Sequence, residues 1–237
     1  MLILAADTSG KNGSIALTRF EQGSARTLEI VPLEGGTFSA QLVPQISSLL
    51  AKHNLTKNNI DAFAVASGPG SFTGLRVGLA AIKALAEILR KPIAPISLLE
   101  AIAYEAAMTA DNVPALTRCL AVTDARRHEV FAGDYDIGAE MPILIGESLL
   151  TLEELVQYSE SRPSQEILTP DANVLEYVRA RVHHAKLAEI ARPDASTIAR
   201  LGWKKILAGI TVSPQELDAA YIRRSDAEIN TPRFESS

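Results

Sequence analysis

Eighteen consecutive residues, Thr73 to Arg90, carry charge at only four positions: Arg76, Lys83, Glu87 and Arg90. Thr73 apart, the others are Gly, Ala, Val, Leu and Ile. Wound into an α-helix, the four charges fall within a sector of roughly 60°. A surface helix normally has one apolar stripe and a wide polar face. This segment therefore needs cover on nearly every side. It is either buried between a sheet and its own neighbours, or its outer face is completed by another protein. Gly74, Gly78 and the following alanines permit close approach of a neighbouring backbone.

The segment is entered through Ser67-Gly68-Pro69-Gly70-Ser71-Phe72-Thr73-Gly74, which follows a short buried strand predicted over Asp61 to Ser67. A glycine-rich turn at a helix N-terminus offers free N–H groups and the positive end of the helix dipole to a phosphate. The turn lacks the lysine and spacing of a Walker A loop and is not G-x-G-x-x-G. The plainer reading is a tight turn that needs glycine for positive φ. Asp7-Thr8-Ser9-Gly10 ends the first strand with groups that meet phosphate or metal, but the same residues favour an Asx-type turn. Asp7, Thr8, Ser9, Gly68, Gly70 and Ser71 are thus the candidate nucleotide or phosphate contacts.

Residues 2–6 read as a buried strand. Strands over Gly13–Phe20 and Thr27–Val31 complete an antiparallel meander with short turns. Gly35-Gly36 breaks it, and a helix starts at Phe38 with Leu42, Ile46 and Leu49 at helical spacing and Pro44 early in it or kinking it. Ile93–Ile96 is another strand, after which Ser97 is expected to cap a helix over Leu98–Met108, with Glu100 at its third position. A three-strand meander followed by two crossover units is the layout of one lobe of the α/β actin-like, sugar-kinase and Hsp70 ATPase fold. Asp111-Asn112-Val113-Pro114 is a candidate boundary, which divides the chain into lobes 1–110 and 111–237. The second half restarts with strands over Thr117–Thr123 and Glu129–Tyr135, turned at Asp124-Ala125-Arg126-Arg127, as a degenerate repeat of the first. Ser159–Gln165 reads as a polar loop, Pro170–Arg181 and Asp194–Leu207 as amphipathic helices, and Glu228–Ser237 as a frayed polar tail.

Several functions find no support. With 23 Lys+Arg against 28 Asp+Glu the net charge is −5, which argues against nucleic-acid binding by blanket charge. No segment approaches the ~18 apolar residues of a membrane helix, and Met1–Ala6 is too short for a signal peptide. The chain is therefore expected in the cytoplasm. Cys119 is the only cysteine and reads as a buried, inert thiol. His183 and His184 are adjacent, so on a helix they diverge by about 100°. There is no H-E-x-x-H and no G-x-S-x-G, and no metal site is expected. Asp124, Arg126, Arg127, His128 and Glu129 either line a cleft or form a solvated turn. Nine of the 14 glycines lie at or before Gly78, so only the first lobe has a glycine-rich turn for a nucleotide. An independent small-molecule kinase of the actin-like class, the alternative function, would need one in each lobe. A metallopeptidase-like hydrolase is more remote still, for want of a histidine pair.

Ile3–Ser9, Gly68–Gly78, Asp124–Arg127 with Glu129-Val130-Phe131, and Tyr221-Ile222-Arg223-Arg224 together resemble the TsaB (YeaZ) family. The resemblance implies two actin-like lobes without catalysis of their own. It implies partnership with TsaD, a homologous metal-dependent enzyme, and with the ATPase TsaE. Together they transfer a threonylcarbamoyl group from its adenylate to N6 of the adenosine next to the tRNA anticodon. It further implies no cofactor in this chain, ATP/ADP and metal only in the partner complex, and tRNA contact only through that complex. The histidine pair that binds metal on the first helix of TsaD has no counterpart here, where Phe38, Leu42 and Ile46 stand on the inward face. Two departures from the family pattern are Phe38, where a His is common, and Ala219 or Ala220, where a Pro is common.

A helix pair with surplus apolar surface can pack against the same pair of another protomer. The resemblance implies that this pair meets either a second copy or TsaD, so that homodimer and heterodimer compete. The expected interface is Leu42, Ile46, Leu49, Leu75, Arg76, Leu79, Ile82 and Lys83. A charge at Leu79 or Ile82 is expected to give a folded monomer that no longer binds TsaD.

Overall fold

The computed structural model describes residues 1–109, 118–220 and 222. Strands β1 (Leu2–Asp7), β2 (Gly13–Glu21) and β3 (Ser24–Leu33) form the antiparallel meander. Helix α1 (Phe38–Lys52) leads to β4 (Ala62–Gly68), and α2 (Phe72–Leu89) leads to β5 (Ile93–Ser97). Strand β4 is parallel to β1 and to β5, which gives the sheet order β3-β2-β1-β4-β5. After α3 (Leu98–Thr109) the pattern repeats. Strands β6 (Arg118–Arg126), β7 (Glu129–Asp136) and β8 (Ile143–Thr151) form a second meander. Helix α4 (Leu152–Ser161) precedes β9 (Glu166–Thr169), and α5 (Ala172–Arg179) precedes β10 (Lys186–Glu189). The second order, β10-β9-β6-β7-β8, retraces the first, with β9 parallel to β6. These are the two α/β lobes of an actin-like fold.

Alternation within each strand explains its unbroken apolar run. Leu2, Leu4 and Ala6 enter the core beneath α1 and α2, whereas Ile3 and Ala5 enter the core on the other face. The second face is paved with Ala5, Ala16, Ala62, Ala64, Ala66 and Ala94, small enough for a helix to lie close. That helix is α6 (Ala195–Leu207), near the end of the chain. It packs on β1, β2, β4 and β5, and its first N–H, on Ala195, donates to Ser14 Oγ at 2.9 Å. Division of the chain at residue 110 therefore needs correction for this helix, which belongs by packing to the first sheet. Helix α3 packs mainly on the second sheet through Leu98, Leu99, Ile102 and Ala103.

Local expectations differ in detail. Pro44 lies within α1. Ser159–Ser161 closes α4 rather than opening a loop, and the hydroxyl of Ser97 donates to Glu147 at 3.2 Å. Cys119 is fully buried, and burial pushes its thiol up to about 12. The Asp111–Pro114 boundary, the tail, and Tyr221, Arg223 and Arg224 lie outside the described residues. Among the described residues no helix is long and apolar enough to cross a membrane.

Candidate functional site

The glycine turn and the Asp7 turn close on each other. Asp7, Thr8 and Ser9 are buried, and Asp7 Oδ1 accepts the Ser9 N–H at 2.8 Å in the Asx-type turn. Thr8 Oγ1 donates to the Gly74 carbonyl at 2.7 Å, and Ser71 N–H donates to the Ser9 carbonyl at 2.7 Å. Ser71 then caps α2, its Oγ accepting the Gly74 N–H at 3.3 Å. A β-carbon at Gly74 would overlap the Thr8 carbonyl oxygen, and one at Gly70 that of Ser9. Glycine is needed at these two places because another backbone lies against them. Asp7, Thr8, Ser9, Gly70 and Ser71 lie together, with Gly68 at the strand end. Their contacts, however, run to one another. Only Ser9 Oγ is a buried polar side-chain atom without a partner among the described residues.

Beside this turn the lobes enclose a cavity of about 860 Å³, lined by Ser9, Lys11 and Ser71 on one side and by Asp124, Arg126 and Arg127 on the other. Asp171 and Arg192 complete its polar wall. The hairpin turn Arg126-Arg127-His128 has φ of 63°, 55° and 62°, a left-handed run without glycine. Asp124 and Asp171 hold that turn. Asp171 Oδ2 accepts from Thr123 Oγ1 and from Asp124 N–H, both at 2.8 Å, and Asp124 Oδ1 accepts the Arg126 N–H at 2.7 Å. Of the two readings of this cluster, the structure gives the cleft-lining one for Asp124, Arg126 and Arg127.

The helix pair requires the main correction. Leu42, Ile46, Leu49, Leu75, Leu79 and Ile82 all lie in the core between the pair and the first sheet, none more than 7% exposed. They cannot reach another molecule without unfolding this one. Of the expected interface residues, Arg76 is exposed, its guanidinium 3.8 Å above the ring of the exposed Phe72, and Lys83 is half-buried. The outer face of α2 is instead Ala80, Ala84, Glu87 and Ile88, flanked by Val77 and Ala81. On α1 it is Ala40, Val43, Pro44, Ser47 and Ser48, with Val43 and Ile88 at 50% and 69% exposure. A signal was available in the sequence: from Phe38 to Ala51 α1 has no charged residue at all. Among the described residues no group of three or more His, Cys, Asp or Glu is placed to hold a metal. Helix α1 contributes no imidazole, so these residues do not fit the metal of a TsaD-type centre.

Residues 30–231 match the family described as TsaD: tRNA N6-adenosine threonylcarbamoyltransferase. The tRNA threonylcarbamoyladenosine biosynthesis protein TsaB of Haemophilus influenzae is 28% identical over 234 residues, 94% of each chain. TsaB of Bacillus subtilis is 33% identical over 135 residues, 57% of this chain and 55% of that one. Among solved structures, a Pseudomonas aeruginosa protein described as similar to peptidase YeaZ aligns with a TM-score of 0.75. It is 25% identical, and the alignment covers 94% of this chain and 99% of that one.

Proposed function

Since the chain belongs to the TsaB (YeaZ) family, within the wider TsaD family, we propose that it serves tRNA threonylcarbamoyladenosine formation as the non-catalytic partner of a TsaD subunit. The observation that carries the partner role is the outer face of the α1–α2 pair. It is exposed, apolar or small over Val43, Ala80, Ala84 and Ile88, and bears no charge on α1 before Lys52. A face of two adjacent helices that is small or apolar apart from Glu87 fits a matching pair as a four-helix contact. Arg76 and Lys83 border it and supply orientation more than affinity, as rim charges do.

The non-catalytic part of the reading is supported by the donor set of α1 and by a glycine turn whose contacts are made within the chain. The metal and the nucleotide used in the transfer belong to the partner complex, which includes TsaE, and tRNA reaches this chain only as part of that assembly. Alone, the chain forms a homodimer through the same face, in the cytoplasm. The alternative of an independent small-molecule kinase gains nothing from the closed glycine turn.

Light scattering on the chain, alone and titrated with TsaD of the same organism, tests this. A dimer that converts to a one-to-one complex is expected. A chain that stays dimeric at every ratio, or binds TsaD without giving up its own dimer, would sink the shared-face assignment.

A further inference from the structure

The face offered by the α1–α2 pair is lopsided in charge. From Phe38 to Ala51, α1 has no charged residue. Helix α2 has Arg76 and Lys83, and Arg90 is its C-cap. These cations recur every seventh residue, so they share one edge of the helix at intervals of about 10 Å. Arg76 and Arg90 are exposed and Lys83 is half-buried. The carboxylate beside them is Glu87, one turn from both Lys83 and Arg90. Among the described residues none of the three cations has an ion pair. At the head of the same edge the Arg76 guanidinium lies 3.8 Å above the ring of Phe72, which is 42% exposed. That stack holds a fork of donors at the border of an apolar face. The opposite edge of α2, Val77, Ala81 and Ile88, has no charge.

Resting on the reading that this face docks TsaD, we propose that the Arg76–Lys83–Arg90 edge selects a partner whose docking helices carry carboxylates along the matching edge, and disfavours a second copy of this chain. A contact between two copies is isologous, with the same patch on both sides. It therefore doubles the cationic excess and supplies no carboxylate except a second Glu87. An acidic edge removes that excess, and Arg76 can take a carboxylate in two parallel hydrogen bonds. Selection of this kind works by repulsion in the wrong pair as well as by attraction in the right one. The apolar centre of the face adheres in both complexes, and the charged edge decides between them. This is the physical reason for a homodimer to give way to TsaD on one and the same face. The chain as a whole has net charge −5, so the edge is a local reversal of sign, felt within a Debye length of about 8 Å at physiological salt.

Salt separates the two contacts. Raising NaCl from about 50 to about 500 mM screens the edge in both. It should weaken TsaD binding by the full chain, read by calorimetry, and strengthen self-association, read by sedimentation. The triple variant Arg76→Gln, Lys83→Gln, Arg90→Gln is the reference for apolar contact alone. It should bind TsaD roughly tenfold more weakly at low salt, chiefly through a slower association rate. It should also dimerise more tightly, and both salt slopes should flatten. Arg90→Gln alone should give smaller changes of the same signs, which keeps the test informative if the triple variant fails to fold by circular dichroism. Lys57→Gln, outside the helix pair, should change neither contact. TsaD binding as salt-insensitive as that of the triple variant, or a triple variant that weakens both contacts alike, would overturn the proposal and leave the docking face standing. A chain that neither binds TsaD nor self-associates at any salt would remove the docking reading along with it. Salt-sensitive tRNA binding by the isolated chain, lost in the triple variant, would assign the edge to RNA and overturn the proposal as well.

Discussion

Two residues show how neighbours decide what a side chain can do. Cys119 has a reactive group but no route to react, because it is fully buried and its thiol is pushed up to about 12. Raising pH from 7 to 9 should leave the native thiol neutral and unlabelled by iodoacetamide. In denaturant the ordinary thiol pKa near 8.5 returns and labelling should accelerate with pH. Since the chain has one cysteine, mass spectrometry reads the result directly, and rapid labelling of the folded chain would contradict the packing. Gly74 is the second case. Its missing β-carbon leaves room for the Thr8 carbonyl, and Thr8 Oγ1 bonds its own carbonyl. Gly74→Ala forces backbone apart in a packed interior and should cost roughly 1–3 kcal/mol, the cost of overpacking. Denaturant unfolding measures it. Thr8→Val, losing one hydrogen bond, should cost about 1 kcal/mol.

At the scale of elements, the α2 helix has two apolar stripes, and the sequence does not say which is inside. Leu75, Leu79, Ile82 and Ala86 recur at helical spacing, and so do Val77, Ala80, Ala84 and Ile88. Hydrophobic periodicity identifies the helix, but only the sheet it lies on chooses the face. Leu75, Leu79 and Ile82 of the first stripe fill the core, whereas Ala80, Ala84 and Ile88 of the second are left outside. Leu79→Glu or Ile82→Glu should therefore unfold the chain, since an unpaired charge in the core costs several kcal/mol. Ala84→Glu should leave the circular dichroism spectrum intact and weaken self-association and TsaD binding together. Folded Leu79→Glu protein that merely fails to dimerise would restore that residue to the interface. Strand β8 was not legible for a related reason. Its sequence, Ile143 to Thr151, does not alternate, and Ile143, Leu144 and Ile145 are each more than half exposed.

For the molecule as a whole, the first lobe was legible nearly element by element, because its strands are short apolar runs between glycine or proline signals. The second lobe was legible as a restart of strands, and its topology proves to be the same five-strand order. What the sequence lacks is any mark of where α6 returns. That helix covers alanines of the first sheet from roughly 100 to 190 residues away along the chain, a long-range pairing that local pattern cannot encode. The site was legible as residue types and misjudged as geometry. The Asp7 and glycine turns lie together but engage each other, and the cations lining the cavity come from Lys11, the β6–β7 turn and Arg192. The central claim is that the chain activates a partner without doing the chemistry. Threonylcarbamoyl transfer to tRNA, supplied with the adenylate, measures it most directly, run with this chain alone, with TsaD alone, and with both plus TsaE. The account predicts no product from this chain alone, product from the mixture, and loss of that gain with Ala84→Glu. Transfer by the isolated chain at a rate near 1 s⁻¹, within the ordinary enzyme range, would contradict it.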